Sequence, residues 1–195
     1  ATVAAIGDTD KTSAEATNAG GVITVNAATG DTATVTLTGQ SGTVTKTVSG
    51  NDSTQVVALD SADLTMLGDG AVTISTVTTD AAGNAATADT TGGFTLDTAA
   101  PDALTVALTE DTATAADNIS SNGAVTVTGS ESGATVEYST DGGSTWGSSF
   151  TASVGGNNVT VRQTDTAGNT SATTNLIFPL DTSAAAPTVV LATDS

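Results

Sequence analysis

Almost every side chain here that could do chemistry is a carboxylate. The chain has 21 Asp and Glu, 3 Lys and Arg, and no His or Cys. Without Cys there is no disulfide, thiolate zinc site or cysteine nucleophile. Without His the commonest general base and transition-metal ligand is missing. Carboxylate pairs are plentiful, but no His, Cys or Lys partner accompanies a nucleophile to activate it. Lys11, Lys46 and Arg162 are scattered, so no phosphate or oxyanion clamp forms. The sequence therefore reads as a non-enzyme. The metal ligands left are carboxylate, amide and carbonyl oxygen, the set that suits calcium. A formal charge of −18 excludes nucleic acid and anionic membranes as partners held by charge. It also makes the chain repel itself unless cations neutralise part of it. No apolar run is long enough for a membrane helix, so no membrane insertion is expected.

The carboxylates recur in order. TDAAGNAATADTTGGFTLDTAAP, Thr79 to Pro101, returns as TDTAGNTSATTNLIFPLDTSAAAP, Thr164 to Pro187. Each copy holds an Asp-x-Ala-Gly-Asn turn, a strand-like run, then Leu-Asp-Thr and a proline. Asp80 and Asp97 mark one copy and Asp165 and Asp181 the other, which is an internal repeat. Each copy reads as the last hairpin of one domain followed by the joint to the next. The expected domains are 1–97, 98–181, and 182–195 as the joint and first strand of a truncated third repeat.

Short Val/Thr/Ile runs of period two, split by Gly/Asn/Asp/Ser clusters, must position these landmarks. In the first unit they predict strands at 2–6, 22–26, 33–38, 43–48, 55–59, 72–79 and 86–96. One helical turn, Ser61 to Leu67, should follow a Ser cap. Inward positions are Val3, Ile23, Val25, Val35, Leu37, Val56, Leu64, Leu67, Ile74, Val77 and Leu96. The second unit predicts strands at 104–109, 124–128, 135–139, 146–150, 158–164 and 173–178. It is shorter between its third and sixth strands. The count and the turn frequency give an all-β fold: two tandem immunoglobulin-like β-sandwich domains arranged end to end. Thr, Ala, Val and Gly dominate while aromatics are few, so the cores are thin and each domain only modestly stable.

VTVTGSESGATVEYSTDGGSTW, VRQTDTAGNTS, LGDGAVTISTVTTDAAGN and the LDT-x-AAP joint resemble the bacterial immunoglobulin-like repeats of giant RTX-type, type I-secreted adhesins. The resemblance spans essentially the whole chain. It implies tandem sandwiches, an extracellular place on a bacterial cell surface, neighbouring repeats of the same chain as partners, and calcium at the joints. The first unit departs from the pattern in having no proline joint before Ala1.

Strand alternation adds geometry to that expectation. Where the chain leaves unit one, loops carry Asp8, Asp10 and Asp69, and the joint carries Asp97. Where it enters unit two, Glu131 and the Asp165–Asn169 turn are expected. Carboxylates this close would repel unless a cation lay between them, and calcium takes six to eight oxygens in flexible geometry. Asp111, Asp117 and Asp181 repeat the pattern where the chain leaves unit two. The competing reading is that these are ordinary turns, since Asp favours turns anyway. Asp31 and Asp80, where the chain enters unit one, are expected to bind a cation weakly or not at all.

Ser139 to Trp146 matches the S-x-D-x-G-x-T-W hairpin of sialidase-type propellers, and it reads as structural: Asp141 accepts backbone N–H bonds and the glycines permit positive φ. Alternating Thr is what any solvent-facing strand side shows, and twisted strands do not make the flat array an ice-binding face needs. The expected function is a monomeric, calcium-stiffened extender segment of a large surface adhesin for cell attachment or biofilm. The alternative is a module that binds a glycan or protein through loops at one sandwich end.

Overall fold

The computed structural model describes residues 2–5, 10–11, 23–112, 114 and 116–189. The chain divides into two compact units. Unit 1 is Ala1–Ala100 with Thr166–Asn169, and unit 2 is Pro101–Asp165 with Thr170–Ser195.

Unit 1 is built from β1 (Thr2–Ala5), β2 (Asp10–Lys11), β3 (Ile23–Asn26), β4 (Thr32–Thr38), β5 (Thr43–Ser49), β6 (Thr54–Val57), α1 (Ser61–Leu67), β7 (Gly70–Thr79) and β8 (Asp89–Leu96). They form two sheets, ordered β1-β3-β6 and β2-β8-β7-β4-β5. All pairs are antiparallel except β2 with β8, where Asp10 faces Thr95 and Lys11 faces Leu96. One cluster holds Ile23, Val25 and Val57 of the first sheet with Val35, Leu37, Val72, Ile74, Phe94 and Leu96 of the second. The two sheets therefore share a core face to face, as an immunoglobulin-like sandwich does.

Strand period sets which residues enter that core. β4 buries Ala33, Val35 and Leu37 and turns the intervening threonines outward. The expected inward residues are buried with two exceptions among the described side chains, both of strand parity. Val57, 2% exposed, points inward on β6, while Val56 is 42% exposed. On β7 the even positions Val72, Ile74 and Thr76 are buried, and Val77 is half-buried. Thr76 keeps its place in the pleat although its Oγ1 finds no hydrogen-bond partner among the described residues. The side chain of Val3 lies outside the described residues.

Helix α1 is a lid on one end of this core. Its N-cap is Asp60, one residue before the expected Ser61: the Asp60 Oδ1 accepts from the Ala62 and Asp63 N–H groups, both at 2.9 Å. The Asp63 Oδ2 accepts from the Asp60 N–H at 2.8 Å, completing a capping box. Leu64 and Leu67 face inward. Lys46 on β5 pairs with Asp63 at 2.5 Å and ties the helix to the sheet. The β4–β5 turn slides beneath the helix end, where Ser41 N–H donates to Leu67 O at 2.9 Å. A Cβ at Gly39 would lie 2.4 Å from that same carbonyl oxygen, so only glycine fits there.

Unit 2 contains β9 (Thr105–Leu108), β10 (Val125–Thr128), β11 (Thr135–Ser139), β12 (Gly155–Thr164) and β13 (Thr174–Leu180). β9 pairs with β10, and β11-β12-β13 form the second sheet. Its core joins Leu104 and Val106 to Val159, Val161, Phe178 and Leu180 across the two sheets. Ser120 bridges Leu180 in parallel, as β2 does β8. In unit 1, residues 39–69 between β4 and β7 supply two further strands and the helix. In unit 2 the corresponding residues 140–154 form no strand.

The strand expected at Trp146–Phe150 is absent. Only Gly147 pairs, exchanging both backbone bonds with Tyr138 at 2.8 and 2.9 Å. Immediately before this stretch, Asp141 takes the N–H groups of Ser144 at 3.0 Å and Thr145 at 2.9 Å, holding the turn.

The parity of β6 gives a direct test. Val57→Ala removes buried methyl groups and should lower unfolding free energy by about 2 kcal/mol. Val56→Ala should change it by less than about 0.5 kcal/mol. Urea denaturation of both variants measures the difference, and equal losses would contradict the assigned register.

Candidate functional site

The acidic landmarks lie in turns and just past strand ends. Asp69 stands immediately before β7, and its Oδ1 accepts from the Thr98 N–H at 3.0 Å and the Thr98 hydroxyl at 2.8 Å. Asp97 follows β8, and its Oδ1 accepts from the Ala99 N–H at 3.1 Å. Asp69 thus fastens the Leu-Asp-Thr segment to the start of β7. Asp8 lies outside the described residues. Asp10 is described as a β2 backbone position, without its side chain.

In unit 2 the β9–β10 loop holds Asp111 and Asp117. The Asp111 Oδ2 accepts from the Ala116 N–H at 2.6 Å and the Asn118 N–H at 3.4 Å. Ala116 and Asn118 both have positive φ, so the loop curls tightly around this carboxylate. The Asp117 Oδ1 accepts from the Ile119 N–H at 2.9 Å. Asp181 follows β13 and its Oδ1 accepts from the Ser183 N–H at 3.0 Å and hydroxyl at 3.1 Å. Ser120 joins the two segments: its N–H donates to Pro179 O at 3.2 Å and its O accepts from the Asp181 N–H at 3.0 Å. The loop bearing Asp111 and Asp117 is therefore laced to the strand end bearing Asp181. Asp165 follows β12 directly.

Two other carboxylates are occupied by their own turns. Asp80 Oδ1 accepts from the Ala82 and Asn84 N–H groups at 2.9 and 2.8 Å, and Oδ2 from the Asn84 amide at 2.8 Å. Asp141 accepts from the Thr145 N–H and hydroxyl, the Ser139 hydroxyl and the Ser144 N–H. Arg162 lies 4.0 Å from the centre of the Trp146 ring and pairs with Glu137 at 2.8 Å. The hairpin is a structural cage, as its sequence suggested.

Hydrogen bonds to the ionised form hold several carboxyls below their ordinary range. The Asn84 side chain does this for Asp80, and the Thr145 N–H for Asp141. The Thr29 hydroxyl does so for Asp52, and the Asp63 N–H for Asp60.

An oxygen-binding cation fits the remaining groups in one respect. The Asp111 Oδ1 is buried and has no hydrogen-bond partner among the described residues. A buried carboxylate oxygen left so is an unmet electrostatic demand. Among the described residues, no group of three or more acidic side chains is already gathered to hold a metal.

Sequence reasoning missed a fully buried, hydrogen-bonded polar side chain of unit 2. Gln163, fully buried on β12, accepts from the Glu131 N–H at 2.9 Å. Its amide donates to Asp102 O at 2.7 Å and Gly129 O at 3.2 Å. The signal was a single Gln among Val and Thr just before the Asp165 turn.

Two outcomes follow for stability. Gln163→Leu should destabilise unit 2 by about 3 kcal/mol, because the Glu131 N–H and the Asp102 and Gly129 carbonyls lose their partner; thermal unfolding that matches the parent would refute this. The hydrogen-bonded carboxyls are more acidic folded than unfolded. Their stabilisation is therefore full above the ordinary value of 3.8 and drains away as pH falls below it towards the folded values. Asp141→Asn should flatten this acid limb in pH-dependent denaturation, and an unchanged slope would count against the cage.

No protein-family model matches the chain, and no curated protein does. Among the solved structures that resemble it loosely are three. One is from work on host cell surface retention of a 1.5-MDa bacterial ice-binding adhesin: 26% identity over 92% of this chain and 63% of that one, TM-score 0.41. Another holds the fibronectin(III)-like modules of Clostridium thermocellum CbhA: 13% identity over 81% of this chain and 82% of that one, TM-score 0.40. The third is a tetra-tandem repeat from the extending region of a large adhesion protein: 22% identity over 92% of this chain and 48% of that one, TM-score 0.36.

Proposed function

We propose that the chain is a structural extender segment of a large bacterial surface adhesin of the RTX type, stiffened by calcium. The observation that carries the reading is the tandem repeat: two compact units, the last strand of each running into Leu-Asp-Thr, with most of the described acidic landmarks in turns or past strand ends. A chain of charge −18 with thin cores gains from bound cations. In unit 2 the ligands would come from Asp111, Asp117 and Asp181. In unit 1 they would come from Asp69 and Asp97, joined by Asp8 and Asp10. The ion would neutralise clustered charge and cross-link loops to strand ends. Neighbouring repeats would be the partners and the outside of the cell the location.

Calcium should raise the melting temperature, since folded loops bind it and the unfolded chain does not. Free calcium at ~100 times the dissociation constant stabilises by ~2.7 kcal/mol. Magnesium should substitute poorly, because it resists dehydration. Asp181→Asn, which changes no core residue, should weaken calcium binding in calorimetry, as should Asp97→Asn. Melting curves identical in calcium and in chelator would refute the calcium reading. The extender reading has its own test. Under single-molecule force the chain should show two unfolding steps, one per unit; a single step would refute independent tandem units.

A further inference from the structure

Unit 2 has an opening that unit 1 closes. In unit 1 the strand β3 is paired on both edges, by β1 and β6, and Val57 and Leu59 seal the core beside it. In unit 2, among the described residues, the strand β10 pairs only with β9. The Ser148–Ala152 segment runs past it without joining the sheet. A cleft of about 520 Å³ remains, within the size range of small-molecule sites.

Its lining is specific in chemistry. Val125, Leu180, Tyr138 and Phe150 are among its lining residues. The Tyr138 backbone is paired on both sides, to Val161 and Gly147, and the Phe150 ring stands edge-on to the buried Phe178 with centroids 6.2 Å apart. Exposed Ser148 and Ser149 supply hydroxyls at the rim. No carboxylate, ammonium or guanidinium lines it, on a chain whose formal charge is −18.

We propose that this cleft is a binding site for a neutral saccharide of one or two rings. A sugar ring offers an apolar C–H face to an aromatic wall and hydroxyls to serine, which both donates and accepts. An anionic ligand would meet no cation in the lining and a repulsive protein around it, and a cationic one would find no carboxylate. None of the proposed calcium ligands lines it.

The test titrates the isotope-labelled 195-residue chain with glucose, galactose, mannose, N-acetylglucosamine, maltose, lactose and chitobiose, followed by amide chemical shifts. At least one sugar should give saturable shifts at Val125, Tyr138 and residues 148–151. Phe150→Leu keeps the apolar packing and removes the ring, and should weaken binding by at least about tenfold. Ser149→Ala, at an exposed rim position that leaves the fold intact, should weaken it less but measurably. The peptide STQVVAL, copied from Ser53–Leu59, is titrated in parallel. If it shifts the β10 amides while no sugar saturates, the cleft takes an extended strand and the proposal is overturned. Sugar binding unchanged in both variants, or no saturable shift with any probe, overturns it equally.

Discussion

Unit 2 depends on one buried amide. Gln163 gathers two segments distant from it in sequence: the approach to β9 at Asp102, and the stretch just past β10, at Gly129 and Glu131. Its backbone is held as firmly, with the N–H donating to the Ser171 hydroxyl and the O accepting from the Ser171 N–H. A fully satisfied polar group specifies one arrangement, because any shift leaves buried donors or acceptors without partners. Unit 1 has a longer run of aliphatic side chains, with α1 closing one end, and closes by apolar area. Unit 2 lacks that helix and two strands, has a smaller apolar cluster, and closes by directional bonds. The same kind of sandwich is thus held by two balances of forces.

Much of the architecture was legible because strand period and turn residues act locally. Alternating Val/Thr runs marked the β4, β5 and β7 region, and Ser61 to Leu67 showed helical spacing. Parity at Val56 and Val57 was not legible, because two adjacent valines satisfy either register and only the pairing with β3 decides between them. The missing strand at Trp146–Phe150 was hidden for a related reason. Its apolar residues look strand-like, but among them only Gly147 finds a backbone partner, Tyr138. The two-residue β2 is too short to carry a period at all.

The carboxylates were legible as landmarks, and their division of labour was not. Asp80 and Asp141 spend their oxygens on backbone and side-chain donors within their own turns. Asp111 receives bonds on one oxygen while the other is buried without one. In the sequence all three are an Asp among small residues. What separates them is the fold of the following few residues, including the positive φ at Ala116 and Asn118.

The parallel contact between an early segment and the last strand recurs in both units: β2 beside β8, and Ser120 beside Leu180. Within either unit, tension that arrives through the early segment and departs through the last strand draws these neighbours in opposite directions along their length. Their hydrogen bonds, evenly spaced and slanted as in any parallel pair, are then loaded together instead of being peeled one after another. The remaining strands, paired antiparallel, lie behind this contact and bear load only after it fails. Among the described residues, this contact comprises a two-residue register in unit 1 and the bonds of a single serine to Pro179 and Asp181 in unit 2.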